Sequence, residues 1–291
     1  MLETIINPKK AERKPWEMIF VGFVYAAVSI LITNFLFLKN PALSKYSSIF
    51  IICFTVMFSI PFVYYIIKLE EKKEEKMKSE KSLLKEHGKA LLALLFLFLG
   101  YVIAFSLLYA VLPGDIANAN FDSQLRTFCL VNSKGSIDEC VSGITGQSTI
   151  SSMGIKQGMS YLSSILATNI AVFVNCLIFS LIFGAGAIFI LAWNASVIGT
   201  AIGIFAQKSS YGLFGGFARY MIHGIPEIAG FFVAALAGGI IGAAVIRHRL
   251  DKKKFLHVLK DSLDLIILGL IILIVAAFIE VFFTPVIAGI L

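Results

Sequence analysis

The chain has 291 residues, of which 58% are hydrophobic and only 15% are charged, and its mean hydropathy is +0.88. Soluble globular domains are about half apolar and about a quarter charged, so this composition excludes a disordered chain, a disulfide-stapled mini-protein and an ordinary soluble enzyme. Since about 20 apolar residues cross a bilayer as a helix, the composition predicts an all-α polytopic membrane protein.

Seven apolar runs along the chain are long enough to cross a bilayer. The first ends without a small-residue cleavage site, so we expect it to be a signal anchor and not a cleavable signal peptide. We expect seven transmembrane helices, or six if one run is re-entrant. The runs cover residues 17–38, 48–67, 90–112, 160–182, 185–206, 225–246 and 265–283.

Charge is concentrated in residues 1–15, 68–89 and 247–264, which hold 18 of the 25 Lys and Arg residues. Seven crossings place all three segments on one side of the membrane. Short loops rich in Lys and Arg remain cytoplasmic, so we expect a cytoplasmic amino terminus and an extracytoplasmic carboxyl terminus. The net charge of +7 then indicates topology and attraction to anionic lipid, and nucleic acid is not an expected partner.

The charged segment 68–89 has a helix-favouring composition, and we expect it to prolong the second span, which Pro61 can kink. Its mixed charge predicts a solvated helical face, with a partner docking site as the alternative. The chain divides into a three-span region, an extracytoplasmic loop and a four-span region, which are residues 1–112, 113–158 and 159–291.

The loop at 113–158 contains Cys129 and Cys140, whereas Cys53 and Cys176 lie in predicted spans. Two cysteines in an extracytoplasmic loop predict a disulfide, and two free thiols are the alternative. The loop has no His, which disfavours metal binding by this pair. It is also the natural place for an extracytoplasmic protein partner to dock.

Apart from Glu17, which lies at a membrane edge, Glu227 and Glu280 are the only carboxylates within the predicted spans. Ionisable groups there are costly and usually face the protein interior with a partner. Both are predicted in the outer half of the membrane, with His223 and Asn169, and Asn194 lies near the middle of its span. If the helices pack side by side, these five residues form one polar cluster.

The sequence His-Gly-Ile-Pro-Glu at 223–227 allows two local structures. A helix that begins at Pro226 would place Glu227 in its first turn, where the helix dipole favours a carboxylate. The preceding segment, 207–224, would then dip into the membrane. If the helix is unbroken, His223 and Glu227 share one face at i, i+4.

Three interpretations of the cluster remain open. The first is a buried hydrogen-bonded network that fixes helix register. The second is a metal site, for zinc or another divalent cation, with His223, Glu227 and Glu280 as ligands. The third is a path for protons or ions, for which intramembrane carboxylates and His are typical.

Small residues repeat at GxxxG spacing at Gly199–Gly203, Gly212–Gly216 and Gly238–Gly242. This spacing lets helix backbones approach closely in lipid. We expect these glycines to pack helices within the chain, with homodimerisation as the alternative.

Residues 155–288 resemble the stage II sporulation protein M family of integral membrane proteins. The resemblance rests on Asn169, Gly184, the sequence WNASVIG at 193–199, HGIPE at 223–227, the Gly238/Gly242 pair and AAFIEVFFTP at 276–285. It implies a non-enzymatic membrane component without a cofactor. The bacterial sporulation member acts as the membrane anchor of extracytoplasmic peptidoglycan-degrading partners, which implies a scaffold or membrane-remodelling role. The alternative is an intramembrane metal-dependent hydrolase or a transporter that uses His223, Glu227 and Glu280.

Overall fold

The computed structural model describes residues 8–74, 83–132, 155–247 and 252–284. The secondary structure of these ranges is helical, with a 3-10 turn at Pro15–Glu17 and a π-helical turn at Ile279–Phe283. The α-helices are α1 (Pro8–Arg13), α2 (Met18–Phe37), α3 (Pro41–Ser44), α4 (Ser47–Glu74), α5 (Leu83–Val111), α6 (Gly114–Asn132), α7 (Ile155–Phe183), α8 (Ala187–Lys208), α9 (Gly212–Arg247) and α10 (Lys252–Phe278).

Within the described residues, seven helices are long and apolar enough to cross a membrane. The prediction of an all-α multi-pass membrane protein is thereby confirmed. The seven spans are Pro15–Phe37, Ser47–Glu70, His87–Val111, Met159–Phe183, Ala187–Lys208, Gly212–Ile246 and Phe255–Phe283.

Helix α9 forms the centre of the bundle and α7 lies at its periphery, since 78% of the α9 span but only 17% of the α7 span is buried. The core is continuous between the two halves of the chain. Phe98 of α5 packs edge-to-face on Phe232 of α9, with the ring centroids 6.3 Å apart. Burial of such rings supplies the packing energy that holds helices together when lipid is the solvent.

Glycines make the closest helix contacts. A Cβ built at Gly203 of α8 would lie 2.7 Å from Tyr109 Cβ of α5, and one built at Gly199 would lie 2.6 Å from Phe105 Cβ. At Gly238 and Gly242 of α9 an added Cβ would collide with backbone carbonyls of α7. The pairs Gly199–Gly203 and Gly238–Gly242 therefore lie in contacts within the chain, where a larger side chain would force the backbones apart. In the third pair, a Cβ built at Gly216 would lie 2.9 Å from Ile202 of α8, whereas one built at Gly212 would have no neighbour within 4 Å.

The first part of the predicted outer loop is helix α6, Gly114–Asn132, which was not predicted from the sequence. One face of α6 is buried, with Phe121 packed edge-to-face on Phe105 of α5 at 6.1 Å between ring centroids. Gln124 Nε2 donates to the Ser48 carbonyl at 3.2 Å. The segment is polar in composition, but a helix needs only a few apolar residues on its buried face, so composition alone did not indicate α6. Residues 133–154 lie outside the described residues.

Helix α9 runs without interruption from Gly212 to Arg247, with Pro226 inside it. The expectation that a helix begins at Pro226 after a re-entrant segment is therefore wrong, and the unbroken alternative holds. The chain reverses earlier, at Ser209, whose backbone is extended, and at Gly212, whose φ is +57°. Proline is tolerated inside transmembrane helices because neighbouring helices and side chains compensate for the missing backbone hydrogen bond.

Helix α4 continues through Pro61 to Glu74, so the second span is prolonged as expected. The expected solvated face of this charged segment is wrong for Glu70, which is fully buried. Glu70 Oε2 lies 2.6 Å from His87 Nδ1 of α5, and His87 is also fully buried. A hydropathy profile assigns Glu70 and His87 to a charged loop, whereas their pairing allows both side chains to be buried. Residues 75–82 lie outside the described residues.

Candidate functional site: a carboxyl pair held by three helices

The two intramembrane carboxyl groups meet between α9 and the end of α10. The side chains of Glu227 and Glu280 lie close enough to each other to interact. Asn169 of α7 donates from Nδ2 to Glu227 Oε1 at 2.6 Å. One polar contact therefore joins three helices that belong to separate spans.

A hydrogen bond between two carboxyl groups requires an O–H, because an ionised carboxylate only accepts. Glu227 and Glu280 could form such a bond only with one of the two carboxyl groups protonated. The amide of Asn169 stabilises Glu227 because its N–H points at a carboxyl oxygen. A shared proton would avoid placing two negative charges side by side in a medium that solvates ions poorly.

Glu280 lies in the π-helical turn that ends the last span. The wider turn is closed by Thr284, whose Oγ1 donates to the Ile279 carbonyl at 3.3 Å. Tyr161 of α7 lies near enough to Glu280 for the two groups to interact electrostatically. Single π-helical turns occur frequently at functional sites, and hydropathy alone gives no signal for this one.

His223 lies one helical turn from Glu227, on the same face of α9. Its Nδ1 is 3.1 Å from Thr284 Oγ1, so it is hydrogen-bonded to the carboxyl-terminal end of the last span. In the ranges that the structure describes, no group of three or more His, Cys, Asp or Glu side chains is placed to hold a metal ion.

An apolar layer lies directly below the carboxyl pair. A Cβ built at Gly230 of α9 would lie 3.0 Å from Leu273 of α10, and one built at Gly269 would lie 2.6 Å from Phe173 Cε2 of α7. Phe173 is itself buried. Close packing of these side chains separates the carboxyl pair from the far end of the three helices.

Asn194 is not part of this contact. Its Nδ2 donates to the Ile190 carbonyl of its own helix, α8, at 2.8 Å. Side-chain bonds of this kind satisfy the amide locally and join no neighbouring helix. The structure therefore brings together Asn169, Glu227 and Glu280, with His223 one turn away and Asn194 elsewhere.

Sequence reasoning missed two further buried acidic groups at the opposite ends of the spans. One is the Glu70–His87 pair between α4 and α5. The other is Asp261 of α10, which is buried and lies 3.4 Å from His257 Nε2. Two signals were available in the sequence: His257 lies four residues before Asp261, and His87 lies at the start of the third span. A carboxylate that is paired with a His can be buried inside a helix bundle.

Helix α6 presents its other face outward. Arg126 Nε donates to Asp122 at 3.0 Å and 2.9 Å, and Asp122 raises the pKa of the Arg126 guanidinium, first through this bond and then through its charge. Leu130 is 83% exposed. Cys129 is disulfide-bonded, whereas Cys53 and Cys176 are free. The predicted partner, Cys140, lies outside the described residues.

Comparison with known proteins identifies the family. The family model for stage II sporulation protein M matches residues 18–285, which includes the first three spans as well as the 155–288 segment that carried the resemblance. An uncharacterised protein of Methanocaldococcus jannaschii is 36% identical over 129 residues, which are 43% of this chain and 71% of that protein. No solved structure matches. The chain therefore belongs to the stage II sporulation protein M family.

Proposed function

We propose that this membrane protein is a non-catalytic scaffold that anchors a protein partner outside the cytoplasm. The observation that carries the proposal is the hydrogen bond from Asn169 of α7 to Glu227 of α9, beside Glu280 of α10. These polar groups join helices within the membrane, and this use is what a structural network requires.

Close packing beside the carboxyl pair supports the same proposal. Leu273 and Phe173 fill the space next to Gly230 and Gly269, so apolar side chains lie against this part of the three helices. A cavity of about 10 Å³ lies elsewhere in the bundle, among Val63, Ser180, Ala187 and Phe232, which is room for about one water molecule. A cavity of this size is far smaller than the clefts of several hundred Å³ that bind substrates.

The outward face of α6 supplies the surface for the partner. Asp122, Arg126 and Leu130 face away from the bundle, and connecting segments commonly carry binding function. We also propose that this side is extracytoplasmic, because 18 of the 25 Lys and Arg residues lie in the segments at the other ends of the spans. In this proposal a homodimer and a lipid surface are compatible partners, and no cofactor is required.

The experiment that tests the scaffold role compares Glu280→Gln and His223→Ala with wild type. A structural network predicts that both variants unfold at lower temperature, because buried groups lose partners. Elemental analysis of the purified proteins is run in parallel. If both variants are as stable as wild type but lose bound zinc, the scaffold interpretation is wrong and the metal-dependent hydrolase replaces it, with Glu227 or Glu280 as general base.

One observation favours a second function, proton-coupled transport: two carboxyl groups, Glu227 and Glu280, adjoin each other within membrane spans, and intramembrane carboxylates are typical of proton pathways. The test is proton flux in proteoliposomes under a pH gradient, with Glu227→Gln as the matched variant. Flux in wild type that disappears in the variant would establish transport. Equal flux in both would remove this alternative.

A further inference from the structure

Helix α7 exposes a regular seam along its outer face. Seam residues follow one another at intervals of four, three, four, three and four, which is the heptad spacing by which two helices interlock in a left-handed coiled coil. All of them are exposed, while Phe173 and Cys176 on the opposite face are buried. The seam consists of Ser164, Thr168, Ala171, Asn175, Ile178 and Ile182.

Asn175 is the residue that points to a partner. It lies eight residues before Phe183, about 12 Å from the end of the span at 1.5 Å per residue, and therefore within the hydrocarbon layer. The Asn175 amide makes no hydrogen bond to any described residue, whereas Thr168 Oγ1 donates to the Ser164 carbonyl at 3.1 Å. An amide facing lipid without a partner costs several kcal/mol.

The GxxxG pairs Gly199–Gly203 and Gly238–Gly242 do not provide an alternative surface for association. Gly199 and Gly203 are covered by α5, and Gly238 and Gly242 are covered by α7. The peripheral α7 span, of which 17% is buried, has its outer face free of contacts with other described helices. Association through the seam therefore requires no rearrangement of the bundle.

We propose that the seam of α7 binds the same seam of a second copy of this chain, with the two helices parallel. A side-chain amide carries both a donor and an acceptor, so Asn175 is complementary to its own copy across a two-fold axis. A heterologous helix would need a matching polar group at the same depth. A single Asn at a core position of a coiled coil fixes register and the dimeric state.

The two halves of the seam have different roles in this dimer. Ser164, Thr168 and Ala171 are small and let the backbones approach closely. Ile178 and Ile182 supply larger side chains that fill the gaps of the facing helix. The inference does not rest on the proposed scaffold function, since a transporter or hydrolase could dimerise in the same way.

The first test is cysteine cross-linking in native membranes, in a Cys53→Ser background that removes the exposed free thiol. Ile178→Cys is the seam variant, and Ile267→Cys on α10 is the matched control because the two isoleucines are 42% and 55% exposed. Oxidation is expected to give a disulfide-linked dimer with Ile178→Cys and none with Ile267→Cys. Equal cross-linking of both variants, or none at position 178, would overturn the proposal, as would cross-linking of position 178 to another protein only.

The second test measures dimer dissociation of the purified chain in detergent. Asn175→Leu is expected to raise the dissociation constant about 3- to 30-fold, the range given by one interhelical hydrogen bond in lipid. Thr168→Ala is the control, since its hydroxyl is satisfied within α7, and it is expected to change the constant less than about 2-fold. Thermal unfolding shows whether each variant is folded. An unchanged constant for folded Asn175→Leu would refute the role of the amide.

Discussion

The bond from Asn169 to Glu227 gives a sharp test of whether the polar cluster stabilises the bundle, because the chain contains a matched control. Asn169→Ala removes a donor that lies 2.6 Å from Glu227 on another helix. Asn194→Ala removes the same amide from a side chain that is likewise half-buried, but there the bond is to the Ile190 carbonyl of its own helix. The two substitutions are chemically identical and differ in what the amide joins.

The structure sets the expected magnitudes. Interhelical hydrogen bonds in membranes contribute about 0.6 to 1.7 kcal/mol, and a buried acceptor left without its donor costs about 1–3 kcal/mol. We therefore expect Asn169→Ala to lower the free energy of unfolding by about 1–3 kcal/mol. Asn194→Ala is expected to change it by less than about 0.5 kcal/mol, as is usual for a change away from tertiary contacts.

The assay is equilibrium unfolding of the purified protein in detergent, extended to a double-mutant cycle with Glu227→Gln. If Asn169 acts through Glu227, the two changes are non-additive by about 0.5–2 kcal/mol. The matching cycle of Asn194→Ala with Glu227→Gln is expected to be additive. Equal losses from both asparagine variants, or additivity in the Asn169 cycle, would show that the cluster does not hold the helices together.

Three further predictions concern packing, buried charge and topology. Gly238→Ala is expected to destabilise the fold by about 1–3 kcal/mol because the added Cβ would meet a backbone carbonyl of α7. Gly224→Ala is the control and is expected to be neutral, since its added Cβ would have only a sulfur atom at 4.0 Å. Equal effects of the two variants in thermal unfolding would count against the glycine contacts. His87→Ala is expected to destabilise the fold by about 1–3 kcal/mol because the buried Glu70 carboxylate loses its contact with the His87 imidazole. Arg126→Ala breaks an exposed pair and is expected to have little effect. Equal effects of the two variants in denaturant unfolding would mean that the Glu70–His87 pair is not structural. Leu130→Cys, in a Cys53→Ser background, is expected to react with a membrane-impermeant thiol reagent only from outside intact cells, and reaction only from the cytoplasmic side would reverse the proposed orientation.

The family, the fold class and the number of spans were accessible from the sequence. The hydropathy signal is local, because about 20 consecutive apolar residues are enough for a helix to cross a bilayer, whatever the rest of the sequence contains. Isolated carboxylates in such runs are conspicuous for the same reason, and Glu227 and Glu280 could be selected without coordinates. The expected pairing of Asn169 with them rested on depth alone.

Only the tertiary structure decided which helices meet and which polar groups are paired. Asn169 and Asn194 look equivalent in the sequence, yet one bonds across to Glu227 and the other to its own helix. Pro226 favours a helix start by local rules, but packing in the centre of the bundle keeps α9 continuous. The sequence predicts solvated side chains for Glu70 and His87, whereas the packing of α4 against α5 pairs and buries them. Local composition determines the cost of burying a group, whereas the partner that offsets this cost comes from a distant part of the chain.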